Sequence, residues 1–316
     1  MVSPPPIPDA FRTLSARLGG DPLQIQGPGG NTSVKRDGTM WIKASGTELA
    51  DAETKDIFVA VDRERAQAEI DGAGDGTCRA AMLDAGSAIR PSIETTFHAL
   101  FDQAVVAHTH SVATLAHVAS DGGAAEALEK LDGMDAALVP YRKPGLPLTL
   151  AIRDHVAPRT RVVLLANHGL IVTGDSAEEV DERIREVERR LAKEPRAAEP
   201  SLEPAPEGWV APAGTEAIDA RATAGSFWPD HVVFLGPGVA PSIEAALPEQ
   251  RAAMHGGRAV LRVDTKPIAV TMLRCLTDVL ARVPEGRTMV PIGEAAEAEL
   301  MNWDAEEYRQ KLAGRT

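Results

Sequence analysis

"VVAHTHSVATLA", residues 105–116, sets His108 and His110 one residue apart behind an apolar run, in a chain with 8 histidines. The run reads as a buried strand, and residues i and i+2 of a strand point to the same face. Both imidazoles therefore look at one point in space, where they either share a ligand or repel each other whenever protonated. Further on, "RVVLLANHGLIVTG" (161–174) reads as two buried strands meeting at the tight turn "NHG", which carries His168. Convergent imidazoles in an apolar frame are what a first-row metal needs, and three protein ligands plus an open position is the catalytic pattern. Glu94, at the head of the segment before the His-x-His strand, is the candidate carboxylate for the same site. His98, His117, His155, His231 and His255 are read as structural.

Around these strands the pattern alternates between helix and sheet. "DAFRTLSARL" (9–18) spaces Phe11, Leu14 and Leu18 for a helix, and "GPGGNTSVK" (27–35) is a glycine-dense turn. "MWIKASG" (40–46) and "DIFVAVD" (56–62) read as strands. "RPSIETTFHALF" (90–101) reads as a helix with Ser92 as its N-cap after Pro91 and with Ile93, Phe97 and Leu100 on one face. "SVATLAHVA", "LTLAIRDHV" and the charge-laced "SAEEVDERIREVERRLAK" (176–193) read as helices. A stretch rich in Pro and acidic residues (194–214) is a linker or extended wrap. Beyond it "HVVFLG" (231–236) and "RAVLRVD" (258–264) are expected strands, and "TMLRCLTDVLARV" (271–283) and "GEAAEAELMNWDAEEYRQKLA" expected helices. The chain thus divides into a catalytic region, 1–196, and a linker with a small α/β extension, 197–316, the latter expected to pack without supplying catalytic residues.

Composition narrows the function. No apolar run approaches the ~18 residues that span a bilayer, and "MVSPPPIPDAF" lacks a basic region followed by an apolar core, so no secretory signal is expected. Cys78 and Cys275 stand far apart with no C-x-x-C spacing, which fits a reducing cytoplasm rather than a disulfide framework. A formal charge of −13 argues against nucleic acid and anionic membranes as partners. An anionic small molecule stays compatible, because a pocket can be locally basic. No G-x-S-x-G elbow or P-loop spacing is present. "GPGGNTS" remains a candidate nest of backbone N–H groups for an anion.

In their order, "GPGGNTSVK", "IKASGTEL", "RPSIETTFHALF", "VVAHTHS", "VPY" and "LLANHGLIVTG" resemble the class II aldolase/adducin family, which includes fuculose- and rhamnulose-phosphate aldolases and ribulose-phosphate 4-epimerase. The resemblance covers residues 10–193 and implies an α/β fold, a three-layer α/β/α sandwich around a mostly antiparallel sheet. It implies that His108, His110 and His168 bind zinc, with Glu94 as a fourth ligand that is released to act as acid or base. It puts Gly30, Asn31, Thr32, Ser45, Gly46 and Ser92 where the family holds a substrate phosphate. Ile93 stands where the family has a second serine, and Lys43 offers a compensating charge. Tyr141 matches a tyrosine that reaches a neighbouring subunit and protonates the aldehyde oxygen. A homotetramer with sites at subunit boundaries is implied too. "WPDHVVFLG" and "LMNWDAEEYRQ" are similar to a segment of long rhamnulose-phosphate aldolase/dehydrogenase proteins; the chain stops before a dehydrogenase domain, so that second activity is not expected.

The expected activity is retro-aldol cleavage of a small ketose, phosphorylated or not, by a zinc lyase, with Mn2+, Co2+ or Fe2+ as other occupants of the same ligands. Epimerase, dehydratase and decarboxylase chemistry share the site and stay open. A metal-free, adducin-like binding protein is the reading from another class; it predicts empty ligand positions, and here all four are filled.

Overall fold

The computed structural model describes residues 4–198 and 203–303. The chain opens with α1 (Asp9–Gly20), β1 (Asn31–Arg36), β2 (Thr39–Lys43), β3 (Phe58–Asp62), α2 (Arg63–Ile70) and α3 (Thr95–Leu100). It continues through β4 (Val105–Thr109), α4 (Val112–Val118), α5 (Gly123–Lys130), β5 (Ala136–Val139), α6 (Leu146–His155), β6 (Val162–Leu165), β7 (Gly169–Gly174) and α7 (Ala177–Leu191). The seven strands form one sheet in the order β3-β2-β1-β4-β7-β6-β5. β5 and β6 pair in parallel, because α6 carries the chain back across the sheet; the other pairs are antiparallel.

Strand alternation divides the core into two layers. Val105 and Ala107 of β4, with Leu170 and Val172 of β7, pack against Phe11, Leu14 and Leu18 of α1 and against α4 and α7. Val106 and Ile171 point the other way, onto Phe97 of α3 and Leu148 and Ile152 of α6. Helix α7 joins by one stripe, Val180, Ile184, Val187 and Leu191, all buried at helical spacing. Burying each such side chain contributes about 1.5–3 kcal/mol. The result is the expected three-layer α/β/α sandwich.

The C-terminal region adds β8 (Trp209–Val210), α8 (Pro229–Leu235), β9 (Ala252–His255), β10 (Arg258–Arg262), α9 (Pro267–Arg282) and α10 (Glu294–Met301). Its three strands make a separate sheet, β8-β10-β9. The buried face of α9, including Met272, Leu273, Leu276 and Leu280, belongs to the same core as α4 and α7.

Two sequence expectations are corrected. "HVVFLG" is helix α8, not a strand. Pro229 opens it with a preset φ, and Gly236, at φ 80°, ends it. Helix α3 begins at Thr95 rather than after Ser92, whose hydroxyl instead accepts the Glu94 N–H at 3.2 Å in a turn ahead of the helix. The expected terminal helix is seen to Met301, and its residues 304–313 lie outside the described residues. No helix among the described residues is long and apolar enough to cross a membrane.

Buried histidines make the fold acid-sensitive. His117 and His231 have no exposed surface. Burial lowers the pKa of His117 to about 4, helped by Lys193 and opposed by Glu126, and burial lowers that of His231 to about 3. Above about pH 6.5 both are neutral in either state. As the pH falls from there towards 4, the unfolded chain takes up protons that the folded chain refuses, and stability falls by up to about 1.4 kcal/mol per pH unit for each. Urea unfolding followed from pH 7.5 to 4.5 is expected to show a flat midpoint, then a falling one below about 6.5.

Candidate metal centre

His108 lies on β4, on the sheet face that meets Phe97, and is fully buried. Its Nδ1 is 3.0 Å from the Leu170 carbonyl oxygen. A carbonyl only accepts, so Nδ1 carries the proton and Nε2 presents a lone pair. Burial lowers the His108 pKa to about 4, which keeps the ring neutral near pH 7. His110 follows the end of β4 and turns the same way, with its Nε2 3.2 Å from that of His108. Its other nitrogen, Nδ1, is 3.1 Å from Asp230 Oδ2. His168 sits in the turn between β6 and β7, after Asn167 at φ 55°. One ring nitrogen from each of the three lies within 4.8 Å of the others.

This arrangement suits a cation. Two nitrogens bonded to one tetrahedral ion at about 2.0–2.1 Å stand roughly 3.3 Å apart, close to the 3.2 Å between the two Nε2 atoms. Without a cation or shared proton, two buried lone pairs would face each other.

Glu94, at the N-cap of α3 and 5% exposed, completes the cluster. Its Oε1 is 3.5 Å from His168 Nε2 and its Oε2 is 3.6 Å from His108 Nε2. Asn31 Nδ2 donates to Oε2 at 2.7 Å. Asn31 is in turn fixed by His98, whose Nε2 bonds the amide oxygen of Asn31 while Nδ1 bonds the Ser33 hydroxyl at 2.7 Å. Because the amide oxygen only accepts, His98 Nε2 carries the proton and the Asn31 NH2 group is turned to Glu94. His98 is thus structural, as its sequence suggests, but in service of the site.

A match to the Class II Aldolase and Adducin N-terminal domain family spans residues 16–193. The chain belongs to this family. A relative from Bacillus subtilis (strain 168), named "Uncharacterized oxidoreductase YuxG", is 31% identical over 180 residues, which is 51% of this chain and 25% of that protein. The chain thus spans about a quarter of the length of that curated relative. Among solved structures, the N-terminal class II aldolase domain of a conserved protein from Thermoplasma acidophilum superposes with a TM-score of 0.51 at 24% identity, covering 60% of this chain and 95% of that one. The L-fuculose-1-phosphate aldolase of Thermus thermophilus gives 0.39 at 19% identity, covering 58% and 89%.

Within this aldolase/adducin domain the pocket is walled by Gly30, Asn31, Lys43, Ser45, Gly46 and Ser92, together with Glu94, His110 and His168. The Lys43 ammonium is buried and donates to the carbonyls of Pro28 and Thr47, each at 2.7 Å. Thr32 is placed elsewhere. Strand alternation sends Asn31 and Ser33 to the α3 side and Thr32 to the α1 side, where its hydroxyl bonds Ser15 at 2.7 Å. Tyr141 is not among the residues lining the pocket of its own chain. Its hydroxyl is buried, and burial together with Glu299 pushes its pKa upward.

The sequence reading missed Pro229 and Asp230, which also line the pocket and come from the region expected only to pack. An acidic residue in the first turn of a helix is ordinary, so the sequence around Asp230 carries no signal of this role. Gly30, by contrast, is required by geometry. It has φ 55°, and a Cβ there would lie 2.7 Å from the backbone oxygen of His108. Gly30→Ala is expected to lose about 2–4 kcal/mol of unfolding free energy, measurable by urea denaturation.

Proposed function

We propose that this chain is a metal-dependent lyase that cleaves a small hydroxylated ketose, with or without a phosphate, by retro-aldol chemistry. The observation that carries the reading is the facing pair of His108 and His110 Nε2 atoms, 3.2 Å apart, with Glu94 beside them. His108, His110 and His168 would hold the ion, zinc being best suited to three nitrogens and a carboxylate. Bound there, the ion supplies Lewis-acid stabilisation of the negative charge that develops next to a substrate carbonyl when a carbon–carbon bond breaks.

The chain's own residues do the rest. Asn31 holds Glu94 Oε2, which leaves Oε1 on the His168 side to take or give the proton at the reacting carbon. Ser45, Gly46 and Ser92 offer hydroxyl and backbone donors to an anionic or hydroxylated substrate end, and Lys43 adds its charge. Ile93 presents an apolar surface where a further donor would grip a phosphate more tightly. Tyr141 serves cleavage only by entering the pocket of a neighbouring subunit, so the proposal includes a homo-oligomer, a tetramer by family.

The burial of the Tyr141 hydroxyl within its own chain favours a second reading, in which the same centre runs an epimerase, dehydratase or decarboxylase reaction that needs no such acid. The test is a panel of free and phosphorylated ketoses and keto-acids, assayed for aldehyde and for CO2, with metal-stripped protein as control. Metal-dependent aldehyde release is the expected result. Turnover that survives metal removal would sink both readings.

A further inference from the structure

The C-terminal region reaches the metal centre at one charged residue. We infer that Asp230 is the outer carboxylate that orients His110, so that the C-terminal region is a working part of the centre rather than an appended packing unit. The inference rests on the metal-centre reading above.

Asp230 and His110 are both buried, with side-chain exposures of 1% and 3%, and Asp230 Oδ2 lies 3.1 Å from His110 Nδ1. His110 Nε2, on the other side of the ring, faces His108. The two atoms meet at ion-pair distance rather than in an aligned hydrogen bond; a carboxylate this close to Nδ1 favours the proton on that nitrogen and leaves Nε2 with its lone pair. Metal-binding imidazoles generally have such a partner, which fixes both tautomer and ring orientation. For His108 that partner is the Leu170 carbonyl, within the aldolase/adducin domain. For His110 it comes from some 120 residues downstream.

Two features fit the contact to this use. A Cβ at Gly29 would lie 2.7 Å from Asp230 Oδ2 and 2.9 Å from His110 Nδ1, so the glycine-rich turn leaves room for the carboxylate and imidazole to meet. The start of α8 is also tied to the turn that carries the third imidazole. Asn167, next to His168, donates from Nδ2 to the Phe227 carbonyl at 3.1 Å and the Val290 carbonyl at 2.7 Å. Trp228, fully buried between Phe227 and Pro229, anchors the same segment. One stretch of the C-terminal region therefore touches both His110 and the His168 turn.

The test uses the full chain. Zinc affinity is measured by competition with a chromophoric chelator, the electronic spectrum is recorded with Co2+ bound, and the melting point of the metal-free protein is the folding control. Asp230→Asn is expected to weaken zinc binding by about 10–100-fold and to shift the cobalt bands, with the metal-free melting point near that of the wild type. Wild-type affinity and an unchanged cobalt spectrum in folded Asp230→Asn would overturn the inference while leaving the metal centre standing. A wild-type chain that competes for no zinc would overturn both. If Asp230→Asn does not fold, Gly29→Ala, which wedges the pair apart, is expected to show the same loss of affinity, and unchanged affinity there would count against the inference.

Discussion

Glu94→Gln is expected to lower turnover by about 10²–10⁴-fold while bound metal stays near the wild-type level. Glutamine has the same shape and still offers an oxygen to the Asn31 NH2 group, which now holds Glu94 Oε2 at 2.7 Å. What it loses is the ability to take and return a proton. Two of the three imidazoles keep supports of their own, the Leu170 carbonyl at His108 and Asp230 at His110, so their placement does not depend on the Glu94 charge. The check is kcat on any substrate the panel identifies, with zinc content measured on the same samples. Full activity in this variant would remove Glu94 from the chemistry and end the lyase assignment.

His168→Ala is expected to lower zinc affinity by more than about 100-fold, beyond the 10–100-fold typical of losing an outer partner. Activity falls with it at any ordinary zinc concentration. The side chain is on the pocket wall, and Asn167 ties the turn around it to the Phe227 and Val290 carbonyls, so the fold should survive. Removing the ring leaves two imidazoles, and Glu94 Oε1 loses the group 3.5 Å away. Chelator competition gives the affinity and circular dichroism the fold. An unchanged affinity would mean that His168 is a wall residue and that the ion, if bound, uses other ligands.

These two residues also mark how far the sequence alone could carry the structure. His108 and His110 were legible because the period of a strand is short and local, and the apolar residues on either side declare burial. His168 was legible because "NHG" interrupts two apolar runs, and β6 and β7 meet there as expected. Orientation was harder. A motif match gives Thr32 an address next to Asn31, but the pleat turns it to the opposite face, onto Ser15. Helix α8 was misread because a continuous apolar run such as "HVVFLG" has no period to distinguish strand from helix. Pro229 and Gly236 held that information at its ends. Asp230 was out of reach, since nothing local to it records a contact with a histidine in another part of the chain. The role of His98 was hidden for the same reason: its spacing fits an ordinary packed helix, and only the fold shows that it sets the Asn31 amide.

The convergence of three imidazoles on one ion is tested most directly by X-ray absorption at the zinc edge of the zinc-loaded full chain. The expected spectrum has one zinc per chain and three imidazole nitrogens at about 2.0–2.1 Å with at least one oxygen. Substoichiometric zinc, or a coordination shell without three imidazoles, would contradict it.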